Sequence, residues 1–235
     1  IEKIFFFFLC QRCIRKLEMR KKQRRNEDSM KVLMINVSPH KTGCTFTALS
    51  EAAAQLKTHG IESEIIHIGN GSIPGCTACG GCSGKGLCVF QDAVNETIQK
   101  AKTSDGFLIG SPVYYASPNG SLISFLDRLF YAGGSNFAYK PAAAVTNARR
   151  AGTTSSFEVI NKYFTINNMP IVSSQYWNMV HGSTPEDVKK DLEGLQTIRR
   201  LADNMAWLLN CIEAGRAQGI VPAVPEARLH TNFIR

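Results

Sequence analysis

What the chain lacks removes several classes of function. Its apolar run near the start, "IFFFFL", is far shorter than the roughly 20 residues a membrane-spanning helix needs. The basic residues follow that run, whereas a secretory signal puts them before it and ends at a small-residue cleavage site. The expected setting is therefore a reducing cytoplasm, in which disulfides do not persist. No Ser–His–Asp set, paired carboxylates or HExxH stands out, so hydrolase chemistry has no support. No internal repeat or interdomain linker is evident. The net charge of +8 is local, because residues 1–30 hold nine Lys or Arg against four acids, and nucleic acid is not an indicated partner.

What is present suffices for a full core: 235 residues, 44% hydrophobic and 20% charged. Residues 1–29 read as a basic leader or upstream extension, because Met30 immediately precedes a strong strand. A lipid-surface anchor of Phe beside basic residues is the competing reading. Residues 30–215 carry the fold, and 216–235 form a Pro-containing tail without periodicity.

From Met30 onward strands and helices alternate. "KVLMINV" (31–37), "IESEIIHI" (61–68), "GFLIG" (106–110), "PAAAVTN" (141–147) and "MPIVSS" (169–174) read as strands. Helical spacing follows each, ending in one long stripe from Val188 through Leu192, Leu195, Ile198, Leu201, Met205 and Leu208 to Ile212. Five such units predict an α/β fold: a three-layer sandwich around a five-stranded parallel sheet in the flavodoxin-like order 2-1-3-4-5.

Three loops then fall at the carboxyl edge of that sheet. "SPHKTGCT" (38–45) leads into a helix, and its backbone N–H groups with Ser38, Thr42, Thr45 and either His40 or Lys41 suit a phosphate. A plain strand-to-helix turn is the alternative. "GSPVYYASPNG" (110–120) offers Pro112, Tyr114 and Tyr115 as stiff, apolar walls for a planar ring, or a rigid loop packed on the core. "TNARRAGTT" (146–154) adds hydroxyls, an amide, and Arg149 and Arg150, which singly are ordinary surface arginines. One flat cofactor bearing a phosphate would touch all three.

Over residues 31–215 these segments resemble the flavodoxin-like NAD(P)H-dependent FMN reductases, and within them the iron–sulfur flavoproteins. The resemblance implies that Ser38, His40, Gly43, Cys44 and Thr45 surround the FMN phosphate. It places Pro112, Val113, Tyr114 and Tyr115 beside the flavin, with Thr146, Asn147 and Arg149 near its polar edge. Three positions depart from the family: Val37 stands for a usual Gly, His40 for a common Arg, and Cys44 for Asn or Ser.

"CTACGGCSGKGLC" (76–88) puts Cys76, Cys79, Cys82 and Cys88 at C-x2-C-x2-C-x5-C. Tight cysteine runs let thiolates converge on an iron–sulfur cluster, and the glycines among them let the backbone wrap it. The spacing resembles the compact motif that binds a [4Fe–4S] cluster in iron–sulfur flavoproteins, although Val89, not Pro, follows the fourth Cys. Structural zinc, and free or redox-active thiols, compete with that reading. Cys44 reads as a loop residue, Cys211 as a helix-packing residue, and Cys10 and Cys13 belong to the leader. His59 and His67 read as structural or solvated; His181, just beyond the fifth strand at the same edge, reads as a polar loop histidine or as one that approaches the flavin.

The resemblance implies two redox functions. One is an enzyme passing electrons from NAD(P)H through FMN to a small acceptor such as a quinone. The other moves electrons between a ferredoxin-like partner, the cluster and FMN. A non-redox module with structural zinc is the third reading. A homodimer or homotetramer is expected from the family, with "YFTIN" and "SSQYWNMV" either at such an interface or covering the core.

Overall fold

The computed structural model describes residues 29–69, 71–227, 229, 231 and 233. Residues 1–28 of the expected leader, with Cys10 and Cys13, lie outside them. The strands are β1 (Lys31–Asn36), β2 (Glu62–His67), β3 (Gly106–Tyr114), β4 (Ser117–Pro118), β5 (Ala142–Ala148) and β6 (Met179–His181). The helices are α1 (Cys44–Thr58), α2 (Ala93–Lys102), α3 (Gly120–Gly133), α4 (Thr153–Ile166), α5 (Pro185–Lys190) and α6 (Leu192–Ala217). The sheet runs β2-β1-β3-β5-β6, parallel throughout, and the two-residue β4 pairs antiparallel with β3. With β4 set aside, this is the expected order.

Alternation along β1 sends Val32 and Met34 to one face and Leu33 and Ile35 to the other. On the first face they pack with Leu49 and Leu56 of α1 and Ile198, Leu201 and Met205 of α6. On the second they meet Ile98 of α2, Phe125 and Leu129 of α3, and Ile160 and Phe164 of α4. Burial on both faces explains why β1, β3 and β5 read as unbroken apolar runs.

Two expected elements differ. Over 169–174 the chain forms only an isolated bridge, Ala142 with Ile171, and regular pairing resumes at Met179–His181. Residues 173–177 leave the sheet's margin between them, held by Asn204 donating to the Ser173 carbonyl (2.8 Å) and Gln175 to Gln196 (3.0 Å). The long helical stripe breaks at Asp191, whose carboxylate accepts from the His181 N–H (2.6 Å) and the Gly194 N–H (2.9 Å). That ties the end of β6 to the start of α6. Leu192, counted in the stripe, is 75% exposed. Asp191→Ala leaves both N–H groups without this acceptor and is expected to lower stability by about 1–3 kcal/mol, read by denaturant unfolding.

Cys211 is exposed and not a packing residue, because the buried residues of α6 end at Leu209. Among the described residues no helix is long and apolar enough to cross a membrane.

Candidate functional site

The carboxyl ends of β1, β3 and β5 bring the three loops together. At β1, fully buried Asn36 shapes the turn: its Oδ1 accepts from the Ser38 N–H (3.1 Å) and its Nδ2 donates to the Lys41 carbonyl (3.1 Å). His67, at the end of β2, donates from Nε2 to the Ser38 carbonyl (2.8 Å). Ser38 is buried, and its hydroxyl accepts from the His40 N–H (3.1 Å), while the His40, Lys41 and Thr42 side chains face solvent. Gly43 closes the turn so tightly that a Cβ there would lie 2.9 Å from His40 Cβ.

Helix starts around the rim are not alike. Asp92, Asn119, Thr184 and Asp191 cap α2, α3, α5 and α6 with their own side chains. By contrast α1 and α4 follow Gly43 and Gly152, with no side-chain cap and no acid in the first turn. Their leading N–H groups lack intrahelical acceptors, and that is the environment an anion takes up. Burial lifts the Cys44 thiol above its ordinary range, with Asp187 and Glu186 adding to the effect, so this residue puts no charge against an anion at α1.

β3 continues through the expected loop. Pro112 and Val113 are strand residues, with Pro112 in register with Asn147. A two-residue turn, Tyr115 and Ala116, returns the chain to β4 with φ of 51° and 58°. Such a turn ordinarily uses Asn and Gly, so Tyr115-Ala116 carries backbone strain. The third loop and the first turn of α4 brace it: Ser155 Oγ donates to the Ala116 carbonyl (2.9 Å), and Gly152 packs directly on Ala116. Tyr114 is half exposed and Tyr115 stands wholly in solvent.

Further bonds join the loops. Thr45 Oγ1 donates to Asn147 Oδ1 (2.5 Å), linking the first loop to the third. Asn119 donates to the Val37 carbonyl (3.4 Å), and its N–H donates to Ser111 Oγ (3.0 Å), linking the first to the second. Thr146 is buried and donates to the Thr153 carbonyl (3.4 Å), whereas Arg149 projects into solvent. The twelve residues expected around the flavin thus lie on one rim.

The four-cysteine loop has no regular secondary structure and leans on α2 and α3. Cys76, Cys79, Cys82 and Cys88 all line one cavity of about 160 Å³, with Val89, Phe90, Arg128 and Tyr131 completing the wall. Gly80, Gly84 and Gly86 adopt left-handed φ near 70°, and a Cβ on Gly81 would sit 2.5 Å from Val89. Asn95 of α2 clamps the last cysteine, accepting from the Cys88 N–H (2.8 Å) and donating to its carbonyl (2.9 Å). The Cys79 thiol is held below its ordinary range, first by the Gly81 N–H and then by the Thr77 hydroxyl. Among the described residues no group of three His, Cys, Asp or Glu could hold a single metal ion. The donor set itself, four cysteines on the wall of one cavity, has the chemistry of a polynuclear cluster, whose ligands stand further apart than those of one zinc.

Fold and family together define a flavodoxin-like flavoprotein. The family model of NADPH-dependent FMN reductase matches residues 30–184. An iron–sulfur flavoprotein of Methanocaldococcus jannaschii is 31% identical over 192 residues, covering 78% of this chain and 100% of its own length. Among solved structures, an apo NADH:FMN oxidoreductase superposes with TM-score 0.59 at 14% identity, covering 77% of this chain and 90% of its own. A WrbA-like flavodoxin from Agrobacterium tumefaciens gives 0.55 at 13%, covering 78% and 98%. The chain belongs to the NADPH-dependent FMN reductase family, in its iron–sulfur flavoprotein subgroup, and is an FMN-dependent oxidoreductase.

Asn36, Asn119 and Asn95 escaped the sequence reading. Each had a signal: Asn36 and Asn119 are polar residues where an apolar strand ends or an apolar helix begins, and Asn95 lies beside the buried Val94 and Ile98 of α2.

Proposed function

We propose that the protein passes electrons between FMN on the strand-end rim and a [4Fe–4S] cluster held by Cys76, Cys79, Cys82 and Cys88, exchanging them with a ferredoxin-like partner. The carrying observation is that all four cysteines are wall residues of one cavity. Bound FMN supplies uptake of an electron pair and release singly or in pairs. The N–H groups of Cys44 and Thr45 at the uncapped start of α1, with Ser38, His40 and Gly43, hold its phosphate. Pro112, Val113, Tyr114 and Tyr115 wall one side of the ring, and Thr146, Asn147 and Arg149 lie toward its polar edge. Homodimer or homotetramer formation belongs to the same reading, supported by Tyr176 and Trp177, which stand 57% and 50% exposed.

The test is anaerobic purification followed by visible spectroscopy, with iron, sulfide, zinc and flavin assayed on one sample. Flavin with about four iron and four sulfide per chain is expected, together with rapid reduction by ferredoxin. Flavin without iron, and steady NAD(P)H oxidation with a quinone, would replace this with transfer from nucleotide to a small acceptor. Colourless protein holding one zinc would overturn both.

A further inference from the structure

Arg128 is the largest fully buried side chain of the described residues, at 1% exposure on the otherwise apolar inner face of α3. Taking a guanidinium out of water is costly unless its charge and donors are all met. Here they are. Nη1 and Nη2 fork onto the Asp92 carboxylate (2.7 and 3.0 Å) and also reach the Pro74 and Phe90 carbonyls (3.4 and 3.5 Å). The remaining donor, Nε, is given to Cys88 Sγ (3.3 Å), and the Phe90 ring covers the cation at 4.9 Å. Loop tethering alone is served by the four bonds to oxygen; the bond to sulfur is left over.

We propose that Arg128 is a positioning residue that sets the reduction potential of the four-thiol site, through its Nε–H bond to Cys88 and its buried charge, with Asp92 as the offsetting counter-charge. The inference rests on the cluster reading above. One-electron reduction adds one negative charge to the site, with no bond broken and no proton required. A cation and an N–H donor beside a ligand sulfur stabilise that added charge and raise the potential; a nearby carboxylate lowers it. The two side chains therefore act in opposite directions on the potential while acting in the same direction on loop structure.

That opposition supplies the test. In anaerobic potentiometric titration followed by electron paramagnetic resonance, Arg128→Met is expected to lower the cluster's potential and Asp92→Asn to raise it. Each change should be about tenfold in the one-electron equilibrium constant, or about 59 mV. Asparagine still offers an oxygen to cap α2, so Asp92→Asn stays informative where Arg128→Met fails to fold. Arg128→Lys, which keeps the charge and loses the fork, is expected between Arg128→Met and the parent. Shifts in the same direction, or an unmoved potential in iron-replete Asp92→Asn, would overturn the proposal alone. A parent protein that takes up no iron and sulfide overturns the cluster reading with it.

Discussion

Cys79→Ala is expected to strip the protein of iron and to leave its flavin bound. Cys79 is exposed, so removing its side chain opens no void in the core and leaves the sheet untouched. The loss falls on a donor whose thiolate form is already favoured by the Gly81 N–H and the Thr77 hydroxyl. Substituting groups that merely support metal ligands costs 10–100-fold in affinity, and loss of a ligand is expected to cost more than about 100-fold. The rim keeps its own bonds, Thr45 to Asn147 and Asn119 to Val37, neither of which involves the cysteine loop. Iron and sulfide per chain, read beside flavin absorbance, check the prediction. Retained iron would remove Cys79 from the ligand set, and flavin lost together with iron would show that the two sites are one structural unit.

Valine at position 152 is expected to loosen flavin binding by roughly 10–100-fold, the equivalent of about 1.4–2.8 kcal/mol. Gly152 has φ of +91°, a conformation β-branched residues strongly resist, and its Cβ would lie 2.7 Å from Ala116 Cα and 2.9 Å from Val113 Cγ1. The obstacle is backbone that is itself strained, so the Tyr115-Ala116 turn must shift. A titration of apo-protein with FMN, read by quenching of flavin fluorescence, measures the loss. Unchanged affinity in a folded Gly152→Val variant would detach the hairpin from the flavin site.

The layering was legible because β1, β3 and β5 are buried on both faces and their apolar runs are bounded by turn residues. Convergence of the three loops followed from topology, since every parallel strand delivers its carboxyl end to the same edge. The margin was less legible. β6 has three residues, too few to show alternation, while "MPIVSS" looks more like a strand than the single bridge it makes. Asp191 was hidden because the apolar steps on either side of it stay in phase. Bonds such as Arg128 to Cys88, 40 residues apart, leave no local pattern at all. Their trace is indirect: Arg128 is buried in the company of Phe125, Leu129 and Ala132, where a charge has no reason to be unless something holds it.

At the outermost strands, open ladders are templates on which other polypeptides can zip. On one side β2 is studded with acid, and Glu64 bonds to both Lys31 and Lys100. On the other, the excursion at 173–177 cuts the ladder into a bridge at Ile171 and three residues at Met179–His181. Neither margin offers a long, flat, uncharged stretch, so runaway stacking of sheets into fibrils finds no starting edge among the described strands.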